Sequence, residues 1–111
     1  MPELSPQARI VLTTVASPEE AERLGRALVE ERLAACVTIL PSAQSIYPWE
    51  GRVESSAESL LVIKTVLEQL DVLETRLHEL HSYQTPEFVV LEVSAMSHGY
   101  LEWIKGCLLE P

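Results

Sequence analysis

The sequence predicts an α+β domain of βαββαβ order with one further helix at its C-terminus, a ferredoxin-like arrangement. Four short runs of β-branched and aliphatic residues read as strands, each bounded by turn-forming or polar residues. Two segments with apolar residues at helical spacing lie between the first and second runs and between the third and fourth. A Glu50-Gly51 step divides the two middle runs as a hairpin tip would.

The first strand is Ile10-Val11-Leu12-Thr13-Thr14-Val15. Ser17-Pro18-Glu19-Glu20 follows, with a hydroxyl at the N-cap, a proline at the first helical position and a carboxylate at the third, which predicts a capping box. Ala21, Leu24, Ala27 and Leu28 then recur at helical spacing until about Glu31-Arg32. The second strand runs from Ala35 to about Ser45, through Cys36-Val37-Thr38-Ile39-Leu40. Pro41 and Pro48 cannot donate to a ladder, so this is an edge strand, bulged or bent there. A long hairpin returns through Leu60-Leu61-Val62-Ile63-Lys64-Thr65. Val66, Leu70, Leu73, Leu77 and Leu80 form the stripe of a second helix, opposite Glu68, Asp71, Glu74, Arg76 and Glu79. Phe88 to Val93 makes a fourth strand, and Tyr100-Leu101-Glu102-Trp103-Ile104 begins the terminal helix.

Right-handed crossovers place both long helices on one sheet face. Yet Leu60 and Val62 point one way along the third strand while Leu61 and Ile63 point the other, so both faces are apolar. Another copy of the chain is the simplest cover for the second face, which predicts a homo-oligomer.

The length of 111 residues suits one domain spanning 1–111, with its core at about 9–105. Eight Lys+Arg against 17 Asp+Glu give a net charge of −9, which disfavours a nucleic-acid partner or an anionic membrane surface. No apolar run approaches the roughly 20 residues of a membrane span, and no secretory signal opens the chain. Two cysteines outside any Cys-x-x-Cys pair fit a cytoplasmic protein with reduced thiols.

Few residues offer chemistry. Cys36, among small and apolar neighbours, reads either as a buried structural thiol or as a soft-metal ligand at a strand start. His78 and His81 stand at i, i+3, a spacing that can serve one metal, although helix C-termini also favour histidine through the dipole. His81 opens the polar loop His81-Ser82-Tyr83-Gln84-Thr85-Pro86-Glu87, a strand-end position suited to a site and equally to a plain connector. Tyr47-Pro48-Trp49-Glu50-Gly51-Arg52 puts large aromatics at the hairpin tip, packed on a neighbouring subunit or presented to a partner. Lys64, one of two lysines, suggests an anion contact, an ion pair with Glu87, or a snorkelling surface cation. No phosphate-binding glycine loop, nucleophile elbow or catalytic carboxylate pair is present, so enzymatic chemistry would rest on a Cys36–His81 dyad alone, and no enzyme is expected.

Glu31 to Val37, Tyr47 to Gly51, Leu61 to Thr65 and His81 to Glu87 together resemble the signature segments of the CutA family of divalent-cation tolerance proteins, over about Ile10 to Ile104. Ser82 stands where that family usually has proline, a change expected to loosen the loop. The resemblance implies a tight PII-like homotrimer with hairpins exchanged between neighbours, and binding of copper or similar divalent ions. It places Trp49, Lys64, His81, Tyr83 and Glu87 at an inter-subunit cleft with Cys36 nearby, and His81 and Cys36 are the candidate metal ligands, with carboxylates such as Glu87 completing the shell. The leading expectation is a non-enzymatic metal-response trimer. A PII-like sensor holding a small anionic metabolite through Lys64, or a structural scaffold, is the alternative.

Overall fold

The computed structural model describes residues 2–109. In order, the elements are β1 (Glu3–Leu4), β2 (Ala8–Val15), α1 (Pro18–Glu30), β3 (Cys36–Trp49), β4 (Arg52–Val66), α2 (Leu70–Leu80), β5 (Val89–Glu92), β6 (Ala95–Met96) and α3 (His98–Leu108). The main sheet has the order β3-β4-β2-β5, every neighbouring pair antiparallel, so the predicted βαββαβ core is present with β3 at an edge. The two-residue strands β1 and β6 pair with each other and tie the N-terminal segment to the start of α3. Strands that short carry no periodicity, which is why the sequence does not announce them.

Ser17 caps α1 from an extended conformation, its hydroxyl accepting from the Glu20 N–H at 3.2 Å, with Pro18 in the first turn. The predicted capping box closes on one side only: the Glu20 carboxylate turns away toward the loop after α2. The apolar stripe of α2 starts at Leu70, not Val66. Val66 ends β4 in extended geometry and packs with Ile104 and Leu108 of α3, and a 3-10 turn over Leu67–Gln69 intervenes. The terminal helix begins before Tyr100 because the Ser97 hydroxyl accepts from the Tyr100 N–H and caps it.

β3 runs the full length to Trp49, broken only by a bulge between Leu40 and Ala43, where Pro41 leaves the ladder and Ser42 adopts φ 62°. The tip is a two-residue turn in which Glu50 and Gly51 take φ 50° and 78°, the positive values a hairpin with right-handed twist requires. Residues 43–58 pair only within this hairpin, because β2 meets β4 from Ser59 onward. The arm therefore projects, and the molecule measures 46 × 27 × 22 Å.

Both long helices cover one sheet face, where Val11, Val15, Leu24, Leu28, Leu61, Ile63, Leu73 and Leu77 are fully buried. Gly25 permits the close approach of α1 to β3, since a Cβ there would stand 3.3 Å from Val37 Cγ1. The opposite face has no helix over its centre. Register aligns Thr38, Val62, Leu12 and Val89 in one row across it, and Leu40, Leu60 and Thr14 in the next. Leu40, Val89 and Leu91 there stay 45%, 44% and 43% exposed, as large apolar side chains left open by one chain.

Candidate functional site

A cleft of about 880 Å³ opens between the projecting arm and the loop after α2. Tyr47, Pro48 and Trp49 line it from β3, Glu58 from β4, Thr14 from β2, and Tyr83, Gln84, Thr85 and Glu87 from the loop. The arm and the loop are bound together across it, the Tyr83 hydroxyl donating to Glu58 Oε2 at 2.6 Å. On the arm itself, the Tyr47 and Ser56 hydroxyls stand 2.5 Å apart. Burial, followed by the hydrogen bond and charge of Glu58, pushes the Tyr83 phenol well above the usual tyrosine range. It therefore stays a neutral donor. Tyr83→Phe should cost about 1 kcal/mol of stability and speed amide exchange along the arm, as read by denaturant unfolding and hydrogen exchange.

Below the cleft wall lies a polar unit in which His81 and Glu20 are buried and Ser82 stays exposed. The Tyr83 N–H donates to His81 Nδ1 at 3.0 Å, which leaves the ring proton on Nε2 to donate to the Thr14 carbonyl at 2.9 Å. The imidazole, whose side chain is wholly buried, lies 4.9 Å from the Tyr83 ring, at 46°. Glu20 holds the other side: Oε2 accepts from the Ser82 N–H at 3.0 Å and Oε1 from the Ser82 hydroxyl at 2.9 Å. Burial alone would raise the Glu20 pKa. The Ser82 hydrogen bonds, the neighbouring His81 ring and the Ala16 backbone outweigh it and hold the carboxyl below its ordinary value. Ser82 ties the loop to α1 in its own way. It supplies an N–H, which a proline lacks, and a hydroxyl besides.

Trp49, Tyr83 and Glu87 thus share one cleft, and His81 braces it from beneath. Lys64 is elsewhere. Its ammonium donates to the Thr38 hydroxyl and stands 3.8 Å from Cys36 Sγ, so the suggested contact with Glu87 does not form. Cys36 is half-buried beside Lys64 and Tyr100, whose phenol is pushed up first by burial and then by Cys36. Register also keeps Cys36 from His81. Cys36 lies opposite Lys64, and Lys64 opposite Ile10, whereas the His81 ring meets Thr14, four residues further along β2. That is roughly 13 Å along the sheet and about 10 Å across it. No dyad and no shared metal site form within one chain, and His78 is exposed on α2.

The fit to a metal follows from the same contacts. Among the described residues no three His, Cys, Asp or Glu gather closely enough to hold an ion. Both His81 nitrogens are engaged, and the nearest cation to Cys36 is a lysine. Sequence reasoning passed over Glu58 and the outward turn of Glu20. Glu58 is one of many glutamates, and only the bulge-set register carries it to the cleft.

Comparison with known proteins gives one consistent result. The family model for CutA1 divalent ion tolerance protein matches residues 9–107. The chain is similar to the divalent-cation tolerance protein CutA of Thermus thermophilus, 45% identical over 96 residues that cover 86% of this chain and 93% of that one. It is 42% identical to the chloroplastic CutA of Arabidopsis thaliana over 87% of its own length, and there it spans about half (53%) of the relative. The solved structure of CutA from Synechococcus elongatus superposes with a TM-score of 0.94 at 40% identity, covering 97% of this chain and 96% of that one. The chain belongs to the CutA1 divalent ion tolerance family.

Proposed function

We propose that the protein serves divalent-cation tolerance as a cytoplasmic, non-enzymatic homotrimer that binds copper or a similar divalent ion through ligands drawn from more than one copy. The observation carrying this reading is the apolar sheet face with no helix over its centre, which one chain leaves open and which other copies would cover. Cys36 starts the edge strand on that same face, so its thiolate is the soft ligand an assembly would bring toward a neighbour. His81, with both nitrogens engaged, is a brace in this reading and not a ligand.

Light scattering should give three times the 12.4 kDa chain mass. Calorimetric titration with Cu²⁺ should show affinity falling about tenfold or more in Cys36→Ser, since one soft ligand is lost. In His81→Ala it should change by no more than about twofold, a span of roughly 0.4 kcal/mol. A stable monomer, or equal copper affinity in Cys36→Ser, overturns the reading.

The cleft supports a second reading, a small-molecule sensor, because its volume of about 880 Å³ suits a compact ligand. The Lys64-bound anion is not the ligand this geometry favours, as that ammonium is committed to Thr38 and Cys36.

A further inference from the structure

We infer that the core holds one buried water molecule, bridging the hydroxyls of Thr13 on β2 and Ser59 on β4 at the root of the projecting arm. The site lies inside one chain, beneath the helices, apart from the cleft and from the open sheet face.

Thr13 is 0% and Ser59 1% exposed, and among the described residues neither side-chain oxygen has a hydrogen-bond partner. A hydroxyl buried in this way loses its hydration with nothing in return, and native interiors meet that loss with ordered water. Register brings the two together. Thr13 lies opposite Leu61 and Val15 opposite Ser59, so Thr13 and Ser59 are diagonal neighbours on the helix-covered face. Such neighbours have Cβ atoms about 7 Å apart, a gap that two inward-reaching hydroxyls and one water span with bonds of about 2.8 Å. A third bond can go to a ladder carbonyl, which keeps a second lone pair.

The surroundings decide the ligand. Val11, Val15, Leu61 and Ile63 on the same face are fully buried and apolar, so an ion there would shed its hydration without a counter-charge, whereas a water is neutral. Ser59 brings a hydroxymethyl group where Leu61 and Ile63 bring branched butyl groups, a difference in volume larger than the roughly 30 Å³ share of one water. The place in the fold gives the water a task. Ser59 is where β4 first meets β2, and it stands opposite the bulge between Leu40 and Ala43, where it has no ladder partner on β3. The bridge ties β4 to β2 by side chains at the joint from which the arm projects.

A high-resolution crystal structure of the intact protein should show a peak of electron density about 2.8 Å from both oxygens. Thr13→Val keeps the shape of the side chain and removes its hydroxyl. It should lower the guanidinium midpoint by about 0.3 M at fixed protein concentration, as should Ser59→Ala. The double variant should lose less than the two single losses together, because both hydroxyls serve one water. A hydroxyl without a water gives the opposite sign, since replacing it with a methyl group raises the midpoint. No density between the oxygens, a midpoint that holds or rises in Thr13→Val, or strictly additive losses overturns the inference.

Discussion

Glu20→Ala is expected to lower the unfolding free energy at neutral pH by about 1–3 kcal/mol, the scale for deleting the charged acceptor of a part-buried hydrogen-bond unit. Glu20 is 6% exposed, and its two oxygens take the Ser82 N–H and hydroxyl. Removing the carboxylate takes from both Ser82 donors their shared acceptor. Glu20→Gln separates charge from shape and gives a pH signature. The folded carboxyl is held below its ordinary value of 4.5, so its charge adds stability that is complete above about that pH. As the pH falls below the ordinary value and through the folded one, the protonated wild-type side chain comes to resemble the amide. The gap between wild type and Glu20→Gln should therefore be constant from pH 7 to about 5 and shrink steadily as the pH falls further. Guanidinium unfolding at each pH measures it. A gap that does not change with pH would show that the Glu20 charge contributes nothing.

Glu20 also shows where sequence reasoning stopped. Its place in Ser17-Pro18-Glu19-Glu20 is a local pattern, and the local half of that pattern is real: the Ser17 hydroxyl caps the helix. The far half depends on Ser82, 62 residues away, and no local spacing encodes that meeting. The same division runs through the molecule. Leu70, Leu73, Leu77 and Leu80 are legible because a helix repeats its buried face every turn, and Glu50-Gly51 because positive φ demands particular residues. Val66 fitted the helical stripe yet belongs to β4, since one apolar residue at a boundary satisfies both periods.

The site divides in the same way. Trp49, Tyr83 and Glu87 line one cleft within the chain, whereas Lys64 lies opposite Cys36 on the open sheet face. Cys36 and His81 were linked by their chemistry alone. The sheet separates them, because one follows the start of β3 and the other docks near the end of β2. What residue types cannot carry is register, and register decides which of them meet.

The helix-free face yields the second large effect. Val62→Asp should convert the assembly to monomers at micromolar concentration while the single-chain fold persists. Val62 sits centrally on that face, in one row with Thr38, Leu12 and Val89. It is only half-buried in one chain, so an aspartate there keeps contact with water as long as the chain is alone. Covering the face with another copy strips that water away, and an unpaired carboxylate then costs several kcal/mol. In a closed trimer the cost is incurred three times, more than a moderate interface can offset. The core side of β4 is untouched, since Leu61 and Ile63 point to the opposite face and remain fully buried beneath the helices. Far-ultraviolet circular dichroism should therefore match wild type, apart from a loss of about 1 kcal/mol for aspartate in a strand. Sedimentation velocity reads the mass directly. An aspartate variant that still sediments as the wild-type assembly would mean that this face is not where the copies meet.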